Sequence, residues 1–158
     1  MIDNVKTLDD SQVEKTYERF RYIVGQYKGQ PHLLNSYLSN ILDRIVSVVK
    51  TESVPPHIKH RAFQYMQLIT NVRGYKIVVQ HLPHDSSDLE PVLTMLEAQD
   101  QFDTSTWETR YCLLLWLSII VKIPFHMSKF DGSDGSDPTF TPIMQRYLYY
   151  FNGNNFLF

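Results

Sequence analysis

Apolar residues recur every three or four positions along most of this chain, and alternating strand patterns are scarce. Val13, Tyr17, Phe20, Val24 and Tyr27 lay out a first helix, with Asp10 or Ser11 as N-cap and Gly29 and Pro31 closing it. Leu34, Leu38, Ile41, Ile45 and Val49 mark a second, ending in the loop 51–56. Pro56 suits the first turn of a third helix carried by Ile58, Ala62, Tyr65, Met66 and Ile69. Gly74 interrupts it, and Tyr75, Ile77, Val78 and Leu82 form a short fourth element. Asp88 is placed to cap a fifth helix bearing Val92, Met95 and Leu96, with Pro91 in its first turn.

The sixth segment, WETRYCLLLWLSIIVKIPF (Trp107 to Phe125), is the most apolar of the chain. A membrane span needs roughly 20 apolar residues, and the run from Cys112 to Val121 is about half that. Ser105 and Glu108 have the spacing of a capping box. Trp107, Tyr111, Leu114, Ser118 and Val121 line one side, and Leu113, Leu117 and Ile120 the other. A helix apolar nearly all round is covered by neighbours on more than one face.

Six antiparallel helices with short connections fit either a closed bundle or an open stack. Alternate helices begin near residues 11, 56 and 88, spacings of roughly 45 and 30, against roughly 40 to 47 for armadillo and HEAT units. The pattern therefore predicts an all-α chain with a slight preference for an α-solenoid. The expected organisation is a flexible start (1–9), a helical-repeat domain (10–128), an acidic Gly/Ser linker (129–138), and a short seventh helix with an apolar tail (139–158). That tail, YLYYFNGNNFLF, reads as the cut edge of a further repeat, so a fragment or truncated chain is expected.

Composition narrows the function classes. A net charge of −2 with no basic stripe argues against nucleic acid. The polar, acid-bearing start lacks an export signal, and Cys112 is the single cysteine, so no internal disulfide forms. A soluble, intracellular chain is the expectation. With 10 Tyr and 9 Phe, much aromatic surface must pack inside the chain or on a partner.

Candidate chemistry is sparse. His57 with His60, and His81 with His84, have a spacing able to share a metal, but no cysteine or carboxylate completes a zinc set. They read as surface or capping residues, like His32 and His126. The stretch Asp131 to Asp137 fails the calcium-loop pattern at its third, fifth and twelfth positions. No nucleotide-binding glycine motif or nucleophile elbow occurs. Cys112 among leucines reads as inert, and no cofactor or metal is expected.

Two clusters invite a partner. Arg73, Tyr75 and Lys76 sit where one helix gives way to another, and read as an inter-helix turn or as a polar rim for a protein. Trp107 and Arg110 share a helical side with Tyr111, which capping and packing also explain. The competing enzyme reading requires Arg73, Tyr75, Trp107 and Arg110 to converge in one pocket.

The order of QPHLL (Gln30 to Leu34), VRGYK (Val72 to Lys76), LPHDSSDLEPVL (Leu82 to Leu93) and WETRYCLLLWLSIIVKIPF resembles the tubulin-specific chaperone D (tubulin-folding cofactor D) family. KFDG (Lys129 to Gly132) and PIMQR (Pro142 to Arg146) are similar to it as well, so the likeness runs over about 13–146. It implies the N-terminal part of a longer armadillo/HEAT superhelix of stacked antiparallel helix pairs, with six or seven helices here. It also implies β-tubulin binding after the cytosolic chaperonin and assembly of the α/β heterodimer with cofactors C and E. Stimulation of GTP hydrolysis by tubulin with those cofactors, and binding of an ADP-ribosylation-factor-like small GTPase, belong to the same expectation. The setting would be the cytoplasm, with microtubules or the centrosome. A helical-repeat adaptor unrelated to tubulin is the alternative.

Overall fold

In a computed structural model, residues 10–100 and 102–122 of the protein are described. They form α1 (Asp10–Gly25), α2 (Asn35–Lys50), α3 (Pro56–Arg73), α4 (Tyr75–Val78), α5 (Leu89–Glu97) and α6 (Trp107–Ile120), with no strand among them. Short 3-10 turns occupy Gln26–Gly29, Pro31–Leu34, Val79–His81 and Ser86–Asp88. The expected start 1–9, linker 129–138, and seventh helix with its tail lie outside the described residues.

Each long helix follows the apolar spacing that predicts it. In α2, Leu38, Leu42, Ile45, Val46 and Val49 are buried at helical intervals while Asp43 and Arg44 are exposed. Pro56 opens α3, where its missing N–H costs nothing. Gly74 ends it at φ 90°, a conformation L side chains rarely adopt, and its N–H donates to the Thr70 carbonyl at 2.9 Å. Two boundaries differ from the sequence reading. Tyr27 and Leu34 belong to 3-10 turns beyond α1 and before α2, since the chain tightens around Gly29 and Pro31.

The cross-helix contacts fix the directions. On one flank of α3, Arg61 meets Glu14 of α1, and Tyr65 meets Tyr17 and Phe20. On the other, His60 meets Thr109 of α6 and Phe63 meets Cys112. Both sets advance together along the two chains, so α1, α3 and α6 run parallel in one layer. Antiparallel α2 packs on α3 and α5 on α6. Helix hairpins repeated with parallel equivalents make this an armadillo/HEAT-like α-solenoid.

One core joins the hairpins: Leu42, Ile45, Met66, Ile69, Val92, Leu93, Leu113 and Trp116 belong to it, and all are essentially inaccessible. Cys112 to Leu117 is buried without interruption, as the all-round apolar pattern of α6 requires. Tyr65 receives the edges of Tyr17 and Phe20 at centroid distances of 5.6 and 4.7 Å, which seats α1.

Two expected caps are corrected. Thr106, not Ser105, is the N-cap of α6, and no side chain caps that end. The Asp103 carboxylate takes the Ser105 hydroxyl at 2.6 Å and its N–H at 2.7 Å, so Ser105 is consumed in the preceding turn. Asp88 stands at the N-cap position of α5 without a capping hydrogen bond. It is buried and paired through Oδ1 with Lys50 of α2.

Candidate interaction surfaces

The five residues proposed to meet a partner fall on two features. At the end of α3, Arg73 Nε donates to Asn35 Oδ1 at 2.6 Å and ties α3 to the start of α2. Tyr75 and Lys76 follow the Gly74 turn and are exposed, Tyr75 by 45%. At the start of α6, Trp107 is 47% exposed and tilts against Tyr111 with centroids 6.3 Å apart. Arg110 Nη2 donates to the Asp100 carbonyl, bracing the loop before α6.

Arg73 and Trp107 do not meet, although Tyr75 stands within electrostatic reach of Tyr111, which packs on Trp107. Thr109 lies beside His60, and from His60 to Arg73 is about 20 Å of helix at 1.5 Å per residue. Arg73 and Trp107 therefore stand toward opposite ends of the α3–α6 layer, so the four-residue convergence that the enzyme reading requires is not met at Arg73. The Tyr111 phenol is pushed up by burial, then by the neighbouring Cys112 and Tyr75 charges. Burial likewise pushes the Cys112 thiol far up, and its Sγ contacts the Phe63 carbonyl at 3.5 Å, so it has no nucleophile's setting. Among the described residues no three His, Cys, Asp or Glu are arranged to hold a metal, and no helix is long and apolar enough to cross a membrane.

His60 departs from its reading as a surface residue. Its Nδ1 lies 2.7 Å from Thr109 Oγ1, in the seam between the hairpins. Burial lowers its pKa; Glu108 opposes that shift, while Arg61 adds to it. A neutral imidazole is thus held between α3 and α6, where only the three-dimensional pairing of these helices reveals it.

Two further features were not drawn from the sequence. A groove of about 490 Å³ opens between the hairpins, walled by Val54, Phe63, Met95 and Leu113 with His60 and Thr109. The second is a segregation of charge. Between Lys76 and Arg110 there is no Lys or Arg, while Asp85, Asp88, Glu90, Glu97, Asp100, Asp103 and Glu108 all fall there. This signal is readable from the chain, but only the fold shows that Asp88 is buried against Lys50 and that Arg110 stands beside Asp100 and Asp103.

The sequence model of one protein family, described as Tubulin-specific chaperone D-like, ARM repeat, matches residues 24–153. Among curated proteins, the chain is similar to a Tubulin-folding cofactor D of Schizosaccharomyces pombe, 26% identical over 94% of this chain and 13% of that protein. It is also similar to a Tubulin-specific chaperone D of Dictyostelium discoideum, 22% identical over 73% of this chain and 13% of that protein. The chain thus spans about an eighth of the length of these relatives. No solved structure matches it.

Proposed function

The chain belongs to the tubulin-specific chaperone D-like ARM-repeat family, and from that membership we propose that it serves as a non-catalytic scaffold binding β-tubulin during tubulin folding and α/β-heterodimer assembly. The family match over most of the chain, on a repeat fold, is the observation that carries this reading. It also sets aside an adaptor unrelated to the tubulin chaperones. Tubulin-folding cofactors C and E and an ADP-ribosylation-factor-like small GTPase complete the proposed partner set. GTPase activation would act on tubulin's own nucleotide and only in that company. The proposed setting is the cytoplasm, at microtubules or the centrosome.

Arg73, Tyr75, Lys76, Trp107 and Arg110 are the proposed contacts. Exposed aromatic faces beside cations suit a protein partner, and neither cluster supplies a nucleophile with its base. Arg73 and Arg110 are also engaged within the fold, so Tyr75, Lys76 and Trp107 are the better probes. Immobilised chain should retain β-tubulin, alone or with cofactor E, and Tyr75→Ala with Lys76→Glu should lower retention at unchanged helicity. Absence of capture under conditions where the full-length S. pombe relative captures β-tubulin would remove the proposal for this chain.

A further inference from the structure

A second groove, of about 500 Å³, opens between α1 and α3 toward the ends of both helices. Tyr22 and Lys28 stand on its α1 side, and Leu68 and Val72 on its α3 side. Its volume lies in the range that takes up a ligand or a few side chains. Tyr22 is 69% exposed, so a large aromatic side chain borders the groove without a covering neighbour. The space beside Gly25, which also lines it, is open: no atom from elsewhere in the fold lies within 4 Å of where a Cβ would stand.

The charge around it is set by the chain. No Asp or Glu occurs between Glu18 and Asp43, or between Glu52 and Asp85, and apart from Glu18 both walls are drawn from these two stretches. Among the described residues Glu18 is the only acid lining the groove, and Arg21, on the same wall, donates to its Oε1 at 3.2 Å. Those two side chains are 54% and 62% exposed, and an ion pair so open to water is weak and readily exchanged. No acid among the described residues pairs with Lys28. An incoming carboxylate therefore finds one free cation and a second that it can draw from Glu18. Farther along, the α3 wall runs into Arg73, and Lys76 follows the Gly74 turn, with no acid among them.

We propose that the groove between α1 and α3 receives an acidic segment of a partner protein. An apolar side chain of that segment lies between Tyr22, Leu68 and Val72, and its carboxylates meet Lys28 and Arg21. A basic segment is repelled by the same cations. Val72 leads directly into Arg73, so the groove adjoins the contacts proposed above, and it rests on that reading only for a protein meeting this end of α3. A membrane surface is the poorer occupant, because anionic lipid recognition uses clusters of roughly 4 to 8 cations, and these walls are recessed and carry fewer. A second copy is weaker too, because groove-to-surface docking between identical chains is heterologous and leads to open filaments.

Fluorescence anisotropy with two labelled twelve-residue peptides and the whole chain tests it. One peptide consists of glutamates with two phenylalanines, and the other has lysines in place of the glutamates. The acidic peptide should bind at least about tenfold more tightly than the basic one. Lys28→Glu and Tyr22→Ala should each weaken it severalfold, and both positions are exposed, so the variants keep the fold. Binding of neither peptide, equal affinity for the two, or acidic-peptide affinity unchanged in Lys28→Glu overturns the proposal. So does Lys28-dependent binding of phosphatidylserine vesicles in preference to the peptide, or self-association that Lys28→Glu abolishes, which would assign the groove to a lipid surface or to a second copy. Capture of β-tubulin without peptide binding removes this inference and leaves the reading above standing; peptide binding without capture does the reverse.

Discussion

Lys50→Met isolates the tie between the first hairpin and the second. Lys50 closes α2, and its ammonium pairs with Asp88, at the turn leading into α5. The same nitrogen lies 5.7 Å from the centroid of Trp116, whose Nε1 donates to the Pro83 carbonyl at 2.6 Å. The two ends of the pair are unlike: the Lys50 side chain is 40% exposed and that of Asp88 only 6%. Asp88 Oδ2 is buried without a hydrogen-bond partner in the protein, so Lys50 is its main compensation.

Removing one partner of a fully buried pair costs about 3 to 5 kcal/mol, since the remaining charge is stranded. Water reaches the Lys50 end, so the expected loss is smaller, about 2 kcal/mol. Asp88→Leu removes the buried charge itself and leaves Lys50 free to turn to solvent, so it should cost less than Lys50→Met. The double variant should be more stable than the sum of the single losses predicts, with a coupling of about 1 kcal/mol or more. Urea unfolding followed by circular dichroism at 222 nm measures all four forms, and avoids the tryptophan signal the substitution disturbs. Strict additivity, or Lys50→Met within about 0.5 kcal/mol of the parent, would refute the reasoning.

Leu114→Asp places an unpaired carboxylate in the buried run of α6 and should cost more than about 4 kcal/mol; a helical variant with unchanged thermal stability contradicts this. His60 has a folded-state pKa below its ordinary 6.5, so its contribution is whole above that value and is lost as pH falls from there through the folded pKa. His60→Gln should therefore lose less stability than the parent between pH 7.5 and 5.5, and equal losses would show that the imidazole is not held neutral in the seam. Cys112, inaccessible in α6, should react with a thiol reagent only as the chain unfolds, and rapid labelling of the native protein would contradict its placement.

Much of the fold is written in short-range pattern. Leu38 to Val49 and Ile58 to Ile69 announce helices because one face must be buried, and that face needs no knowledge of its partner. The caps were less legible. Ser105 and Glu108 have the spacing of a box, but Asp103, two residues before Ser105, competes for the same hydroxyl and N–H. Asp88 has a capping residue's chemistry and position, yet Lys50 lies 38 positions away, and no local rule makes that pairing visible. For the same reason His60 passed for a surface residue: its partner Thr109 is remote in the chain.

The residues that make the family resemblance specific also explain why the resemblance says little about contacts. In WETRYCLLLWLS, Cys112 to Leu117 are buried, and in VRGYK the glycine answers a positive φ while Arg73 ties α3 to α2. Those letters are constrained by hairpin packing, which any member with this repeat must satisfy. Tyr75, Lys76 and Trp107 are exposed and carry no such constraint from the core. A substitution in the first group should therefore abolish every activity together through loss of the fold. One in the second should leave the fold intact, with Lys76→Glu weakening the proposed β-tubulin capture at unchanged helicity and thermal stability.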